Sequence, residues 1–291
     1  MKIAVTPLGV KGIEGLSANG ADIFLIGNSS FGNRLVYSFS TIEITNANNL
    51  IKSLNKEIYI VMNYIVHNAN IKSLKEFLDF VKELDVDGII FGDLAVYQLA
   101  KKIGIEDKLI YSPETLNTNY YDPIFWSRQG IKGLTISKEI TLEDIKQISK
   151  DKVLEISLIG HGHLNMFHSR RPLIENFFKY TNQEYKDYIE NRNLRVVEEI
   201  RNESYPIFQD NHGTHIFRDK SLESFQEVNI LNDYLDVFII DGIFKDNRYL
   251  EEALKHYKEL LNNKGDAKSI SKLYEGNHDS GFLYKKTVYD K

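Results

Sequence analysis

Short apolar runs rich in β-branched residues alternate with stretches of helical period along this chain, several of the runs are apolar throughout, and no Pro/Gly/Ser-rich linker divides them. These observations predict an α/β protein: a (β/α) TIM-barrel-like single domain. Strands buried on both faces need no polar alternation, and parallel neighbours need helical crossovers. The length of 291 residues suits such a barrel, which commonly takes about 250.

The first strand is Lys2–Thr6, an apolar run broken by Pro7 and Gly9 and too short for a signal peptide or a membrane span. Further strands are expected at Asp22–Ile26, Glu57–Asn63, Asp87–Phe91, Lys108–Ser112, Gly133–Ser137, Val153–Ile159, Tyr205–Gln209 and Leu235–Asp241. Between them, helices are expected at Glu14–Ala18, Asn46–Leu54, Leu94–Ile103, Tyr120–Gln129, Leu142–Ser149, Tyr185–Arg201 and Tyr249–Leu261. The clearest helix is Ile71–Leu84, where Ile71, Leu74, Phe77, Leu78, Val81 and Leu84 recur at spacings of three and four behind Asn70 as N-cap. The barrel is assigned to residues 1–263, with a charged helical excursion at about 180–204. Residues 264–291 form a C-terminal tail that packs on the barrel or a partner.

With 42% hydrophobic and 26% charged residues the chain is built to fold, and the reading is cytoplasmic. It has no cysteine, which excludes disulfides, thiolate zinc sites, cysteine nucleophiles and an iron–sulfur cluster bound by this chain alone. A net charge of −5 argues against a broad basic surface for nucleic acid. It leaves local patches at Arg170-Arg171 and at Lys285-Lys286, the latter beside Tyr284 and Tyr289 as stacking faces.

Barrel chemistry sits at the C-terminal ends of the strands. The polar residues there are Asn28, Asn63, Asp93, Glu114, Lys138-Glu139, His161, His163 and Asp241, each of which can equally be a helix cap or a satisfied loop residue. The densest cluster is GHGHLNMFHSRRP from Gly160, with three histidines, two arginines and a serine. It allows a purely structural reading, in which these groups pair with nearby carboxylates. It also allows a metal site in which His161 and His163 share an ion with His212, His215 or Asp241. A third reading makes Arg170-Arg171 a fork for carboxylate or phosphate, with His161 or His163 moving a proton beside it. Ser169 or Ser29 as a nucleophile lacks the Gly-x-Ser-x-Gly elbow. The segment PIFQDNHGTHIFRDK from Pro206 reads as a hairpin turning at Asp210–Gly213, which can carry His215 to the site.

Nearly the whole chain resembles the collagenase-like peptidases of family U32. The resemblance runs through GADIFLIG at Gly20, DGIIFGDLAV at Asp87, YSPETLNTNY at Tyr111, ISKEITLEDI at Ile136, GHGHLNMFHSRRPL at Gly160, YPIFQDNHGTHIF at Tyr205 and IIDGIFKDNRYLEEAL at Ile239. It implies a barrel-like fold and a site near His161 and the end of the Asp87–Asp93 strand. Members are described either as peptidases or as proteins required for 5-hydroxyuridine formation at the tRNA wobble position, with prephenate as a needed metabolite. Cluster-bearing members have cysteines where this chain has Asn165 and Pro172, and their Glu-Gly-Arg is here Asp241-Gly242-Ile243. The cysteine-free form resembles the shorter of two proteins that act together in tRNA hydroxylation in Firmicutes. The resemblance therefore implies a subunit role with a cysteine-bearing paralogue, with tRNA and a small anionic metabolite as further partners and no membrane. His161, His163 and His168 are the expected catalytic residues. Arg170, Arg171, Asp93, Glu114 and Asp241 are the expected substrate-binding residues, with prephenate as a dicarboxylate suited to the two arginines. No bound metal or other cofactor is expected; the alternatives are a collagenase-like peptidase and a metal-dependent hydrolase using His161, His163 and His215.

Overall fold

The computed structural model describes residues 1–184, 191–200 and 203–285. Eight parallel strands, β1 (Lys2–Val5), β2 (Ile23–Gly27), β3 (Glu57–Met62), β4 (Gly88–Phe91), β5 (Leu109–Tyr111), β6 (Gly133–Thr135), β7 (Glu155–His161) and β13 (Val237–Ile240), close into a barrel in the order β1-β13-β7-β6-β5-β4-β3-β2. Around it lie α1 (Ile13–Ala18), α2 (Thr41–Ser53), α3 (Ile71–Glu83), α4 (Leu94–Ile103), α5 (Tyr121–Arg128), α6 (Leu142–Ile148), α8 (Val228–Tyr234) and α9 (Asn247–Leu261). Inward residues such as Ile23, Leu25, Tyr59, Ile90, Ile110 and Ile239 fill the barrel, while a larger apolar layer packs between strands and helices. Tyr59 plugs the N-terminal end, its hydroxyl donating to Glu155 at 3.1 Å beneath the Lys132 ammonium.

Beyond the barrel, β8 (Asn165–Ser169), β9 (Arg195–Glu198), β10 (Glu203–Asp210) and β11 (Gly213–Phe217) form an antiparallel sheet in the order β8-β11-β10-β9, with α7 (Leu173–Tyr180) between its first two strands in the chain. The run at Tyr205–Gln209 is therefore a strand of this sheet rather than of the barrel. The turn at Asp210–Gly213 is a hairpin. The helix expected over Tyr185–Arg201 is not present among the described residues: Arg195–Glu198 pairs with β10 as strand, and residues 185–190 and 201–202 lie outside the described residues. Helix α2 starts five residues before its expected start because Ser40 and Glu43 form a reciprocal capping box. Asn70 stands at the N-cap of α3 without a side-chain bond, since a 3₁₀ turn at Asn68–Asn70 runs straight into the helix.

After α9 the chain forms α10 (Ala267–Leu273) and β14 (His278–Asp279), which pairs in parallel with β12 (Ser221–Leu222). Both terminal guanidinium nitrogens of Arg218 donate to Asp279, and Leu142 N donates to Leu283 O, so this segment is bound to the barrel wall. Of the basic tail patch, Tyr284 and Lys285 are exposed and Lys286 and Tyr289 lie outside the described residues. No helix among the described residues is long and apolar enough to cross a membrane.

Candidate functional site at the barrel mouth

The loop after β2 folds inward over the C-terminal ends of the strands. Asn28 Nδ2 donates to Phe39 O at 2.7 Å and Asn33 N donates to Asn63 Oδ1 at 2.9 Å, which holds Arg34 over the mouth. Arg34 N donates to Asp210 Oδ2, and its guanidinium forms an ion pair with Glu114. The other Glu114 oxygen receives Lys138 Nζ at 3.0 Å, so one carboxylate is shared by two cations whose side chains are 11% and 7% exposed. Burial lowers Arg34 to about 10 and, with the Arg34 charge beside it, lowers Lys138 to about 8. Asp241, also lining the mouth, is pushed above the carboxylate range by burial, against the pull of the Ile243 amide, Arg34 and Arg192.

These groups surround a cavity of about 120 Å³ whose other walls are largely apolar, among them Val61, Ile90, Ile136 and Ile159. Arg34, Glu114, Asn117 and Phe244, all near this end of the barrel, have left-handed backbones (φ 55°, 73°, 67° and 64°). Asn117 is held there by its own amide, which donates to Thr135 O at 2.8 Å. Such backbones are retained where surrounding structure dictates them, a pattern common at binding sites.

The histidines of the central motif separate. Paired with β13, β7 carries one extra residue, Gly160, so Ile239 lies opposite Ile159 while Ile240 lies opposite His161. This bulge turns His161 out of the barrel into the apolar layer, where it is fully buried beside Phe225. The hydrogen bonds there assign every proton. His278 Nδ1 donates to the Tyr274 carbonyl at 3.1 Å, so its Nε2 accepts from the Tyr249 hydroxyl at 2.8 Å. The Tyr249 oxygen then accepts from His161 Nε2 at 2.6 Å, and His161 Nδ1 accepts from the Tyr257 hydroxyl at 3.0 Å. Tyr257 in turn accepts from Ser224 N at 3.1 Å. This is a neutral, satisfied chain, and burial holds His161 well below its ordinary value.

His163 does face the mouth. Its Nδ1 donates to Arg218 O at 3.0 Å and its ring meets Phe244 edge-on. His168 and His215 stack at 4.6 Å on the antiparallel sheet, His168 Nε2 donating to His212 O and His215 Nε2 to Asp210 Oδ1 at 3.1 Å. Against the effect of burial, the bonds from His215 and the Arg34 and His212 amides hold Asp210 down to about 2. Among the described residues no three His, Asp or Glu side chains are placed to share a metal, so the His161, His163 and His215 grouping is not assembled.

Arg170 and Arg171 are exposed and do not line the mouth. Asp93 caps α4, accepting from Ala95 N at 2.8 Å and Val66 N at 2.9 Å. Glu114 and Asp241 are thus the expected binding residues that the structure brings to one cavity, with His163 the one expected catalytic residue beside them. Arg34 and Lys138 complete the set. Lys138 is visible in the sequence as a polar residue after a strand, whereas Arg34 has only its place in a Gly- and Asn-rich loop after β2. Ile243, at the position of the arginine in the resembling motif, is buried against Phe208 and Phe217, so the guanidinium of this mouth comes from Arg34.

Burial pushes His163, His215 and His278 down to about 4. Between the ordinary histidine value of 6.5 and about 4 the unfolded chain binds more protons than the folded one, so stability is full above this window and falls as pH drops through it. The expected loss by pH 5 is on the order of 1 kcal/mol per histidine after solvent screening. Urea midpoints at pH 7.5 and pH 5 measure it, and equal midpoints would contradict burial of the neutral rings.

The family model described as Peptidase family U32 matches residues 9–289. The chain is 32% identical over 305 aligned residues to "tRNA hydroxylation protein P2" of Bacillus subtilis (strain 168), covering 99% of each. It is 24% identical to "tRNA hydroxylation protein P1" of the same organism over 54% of this chain, a stretch that spans only 37% of that longer protein. A solved U32 peptidase structure superposes with a TM-score of 0.52 at 13% identity, covering 83% of this chain and 92% of that one, which supports the fold alone.

Proposed function

Because the chain belongs to peptidase family U32, we propose that it acts in tRNA wobble-uridine hydroxylation, as a subunit that holds a small carboxylate in its barrel mouth. The observation that carries this reading is the end-to-end similarity to a protein named for tRNA hydroxylation. The mouth supports it chemically: Arg34 and Lys138 converge on one carboxylate, an arrangement in which an entering acid can replace or share Glu114 as acceptor. Prephenate, a dicarboxylate on a hydroxylated cyclohexadiene ring, would set its carboxylates against those cations and the ring's diene edges against the Val61, Ile90 and Ile159 walls. A cysteine-bearing paralogue would carry the redox centre, and Arg170 and Arg171, which are exposed, would serve RNA phosphate or that partner rather than the small acid. A peptidase using a serine or threonine nucleophile has weaker support, since among the described residues no such hydroxyl is hydrogen-bonded to a histidine.

Mass spectrometry of tRNA nucleosides from deleted and complemented cells tests the proposal. Deletion is expected to remove 5-hydroxyuridine and its derivatives, wild type to restore them, and Arg34→Ala to fail. Arg170→Ala/Arg171→Ala is expected to reduce restoration while leaving carboxylate binding by the purified protein intact. Unchanged nucleosides on deletion would overturn the tRNA role.

A further inference from the structure

We propose that Lys138 is a nucleophile, its amine condensing with the carbonyl of a 2-oxo acid whose carboxylate is held by Arg34. This rests on the reading of the mouth as a carboxylate site and adds a covalent step to it. A lysine meant only to balance Glu114 has no need of burial, because exposed ion pairs form without desolvating either charge. Lys138 instead stands just beyond the C-terminal end of β6, 7% exposed, with its nitrogen 3.0 Å from Glu114 in a cavity whose walls are largely apolar. Glu114, itself in a left-handed backbone, also pairs with the Arg34 guanidinium, so the two cations have one carboxylate between them at this distance. Consistently, Lys138 falls to about 8, which leaves on the order of a tenth of it as free amine at neutral pH.

The step balances without an oxidant or reductant. Glu114 takes a proton from the ammonium, the amine lone pair forms a bond to the carbonyl carbon, and a second proton passes from the bound nitrogen to the carbonyl oxygen. Glu114 then returns its proton to that oxygen, the C–O bond breaks, water leaves, and a protonated C=N bond joins the acid to Lys138. The acid carbon next to that bond gains an electron sink, which is what covalent lysine chemistry supplies.

The test uses phenylpyruvate, whose ring suits the apolar walls, and phenyllactate, which keeps the carboxylate but lacks the carbonyl. With cyanoborohydride present, the full-length protein is expected to gain the mass of one phenylpyruvate less one oxygen atom. Peptide mapping is expected to place the adduct on Lys138, and excess phenyllactate to suppress it. Both acids are expected to raise the melting temperature of wild type, and Lys138→Arg, which keeps the charge but has no nucleophilic amine, is expected to form no adduct. If both acids stabilise wild type but no adduct maps to Lys138, or the adduct spreads over exposed lysines regardless of phenyllactate, the nucleophile is overturned and the carboxylate site stands. If neither acid stabilises the protein, the carboxylate site fails and the imine with it.

Discussion

Replacing Arg34 by alanine is expected to abolish carboxylate binding at the mouth and to cost about 3 kcal/mol of stability, the usual scale when one member of a buried ion pair is removed. The guanidinium is 11% exposed, pairs with Glu114, and lies close enough to Asp210 and Asp241 to be held by their charges. Without it, Glu114 retains Lys138 alone, while Asp241 loses a cation that offsets the cost of its burial. Arg34→Lys is expected to recover stability better than binding, because a single ammonium cannot present the planar fork that grips two carboxylates. Urea unfolding and calorimetry with phenyllactate measure the two effects separately. Retained affinity in Arg34→Ala would show that the acid binds elsewhere.

Gly160→Ala is expected to cost about 3 kcal/mol. A Cβ there would lie 1.9 Å from the Phe238 ring, which is fully buried and packs against Tyr257 at 4.7 Å, so the ring has nowhere to retreat. The bulge that turns His161 outward would have to straighten or shift, disturbing the Tyr257–His161–Tyr249 chain as well. Gly104→Ala is the matched control: its Cβ meets nothing within 4 Å, and only the left-handed backbone (φ 70°) opposes it, at roughly 1 kcal/mol. Thermal unfolding of both variants decides between them, and equal losses would mean that the clash at Gly160 is relieved at little cost.

The barrel is legible in the sequence because its strands are apolar on both faces, a pattern that survives without knowledge of their neighbours. The antiparallel sheet is not. Arg195–Glu198 buries neither face fully, so neither period is written in it, and its charges read as a solvated helix. The hairpin at Asp210–Gly213 is legible from turn chemistry alone, since Asp210 accepts from the His212 amide and Gly213 adopts a φ of 128°. For the site, the chemical density of the segment from Gly160 is plain, yet the placement of each histidine is not: one added residue in β7 decides which way His161 points. Arg34 is hidden for a different reason. Its importance comes from Glu114 and Lys138, about 80 and 104 residues away, and no local pattern announces a partner at that separation.

The closing strand has a consequence for how the protein is made. β13 pairs with β1 on one side and β7 on the other, Lys2 standing opposite Val237, so the barrel cannot shut until residues 237–240 arrive. A nascent chain stopped short of them is an open seven-stranded sheet with two unpaired margins, the condition in which strands recruit neighbouring molecules. Contacts so distant in the chain favour slow closure, so the yield of folded protein is expected to fall with rising temperature during synthesis, even though the finished barrel has no such margin.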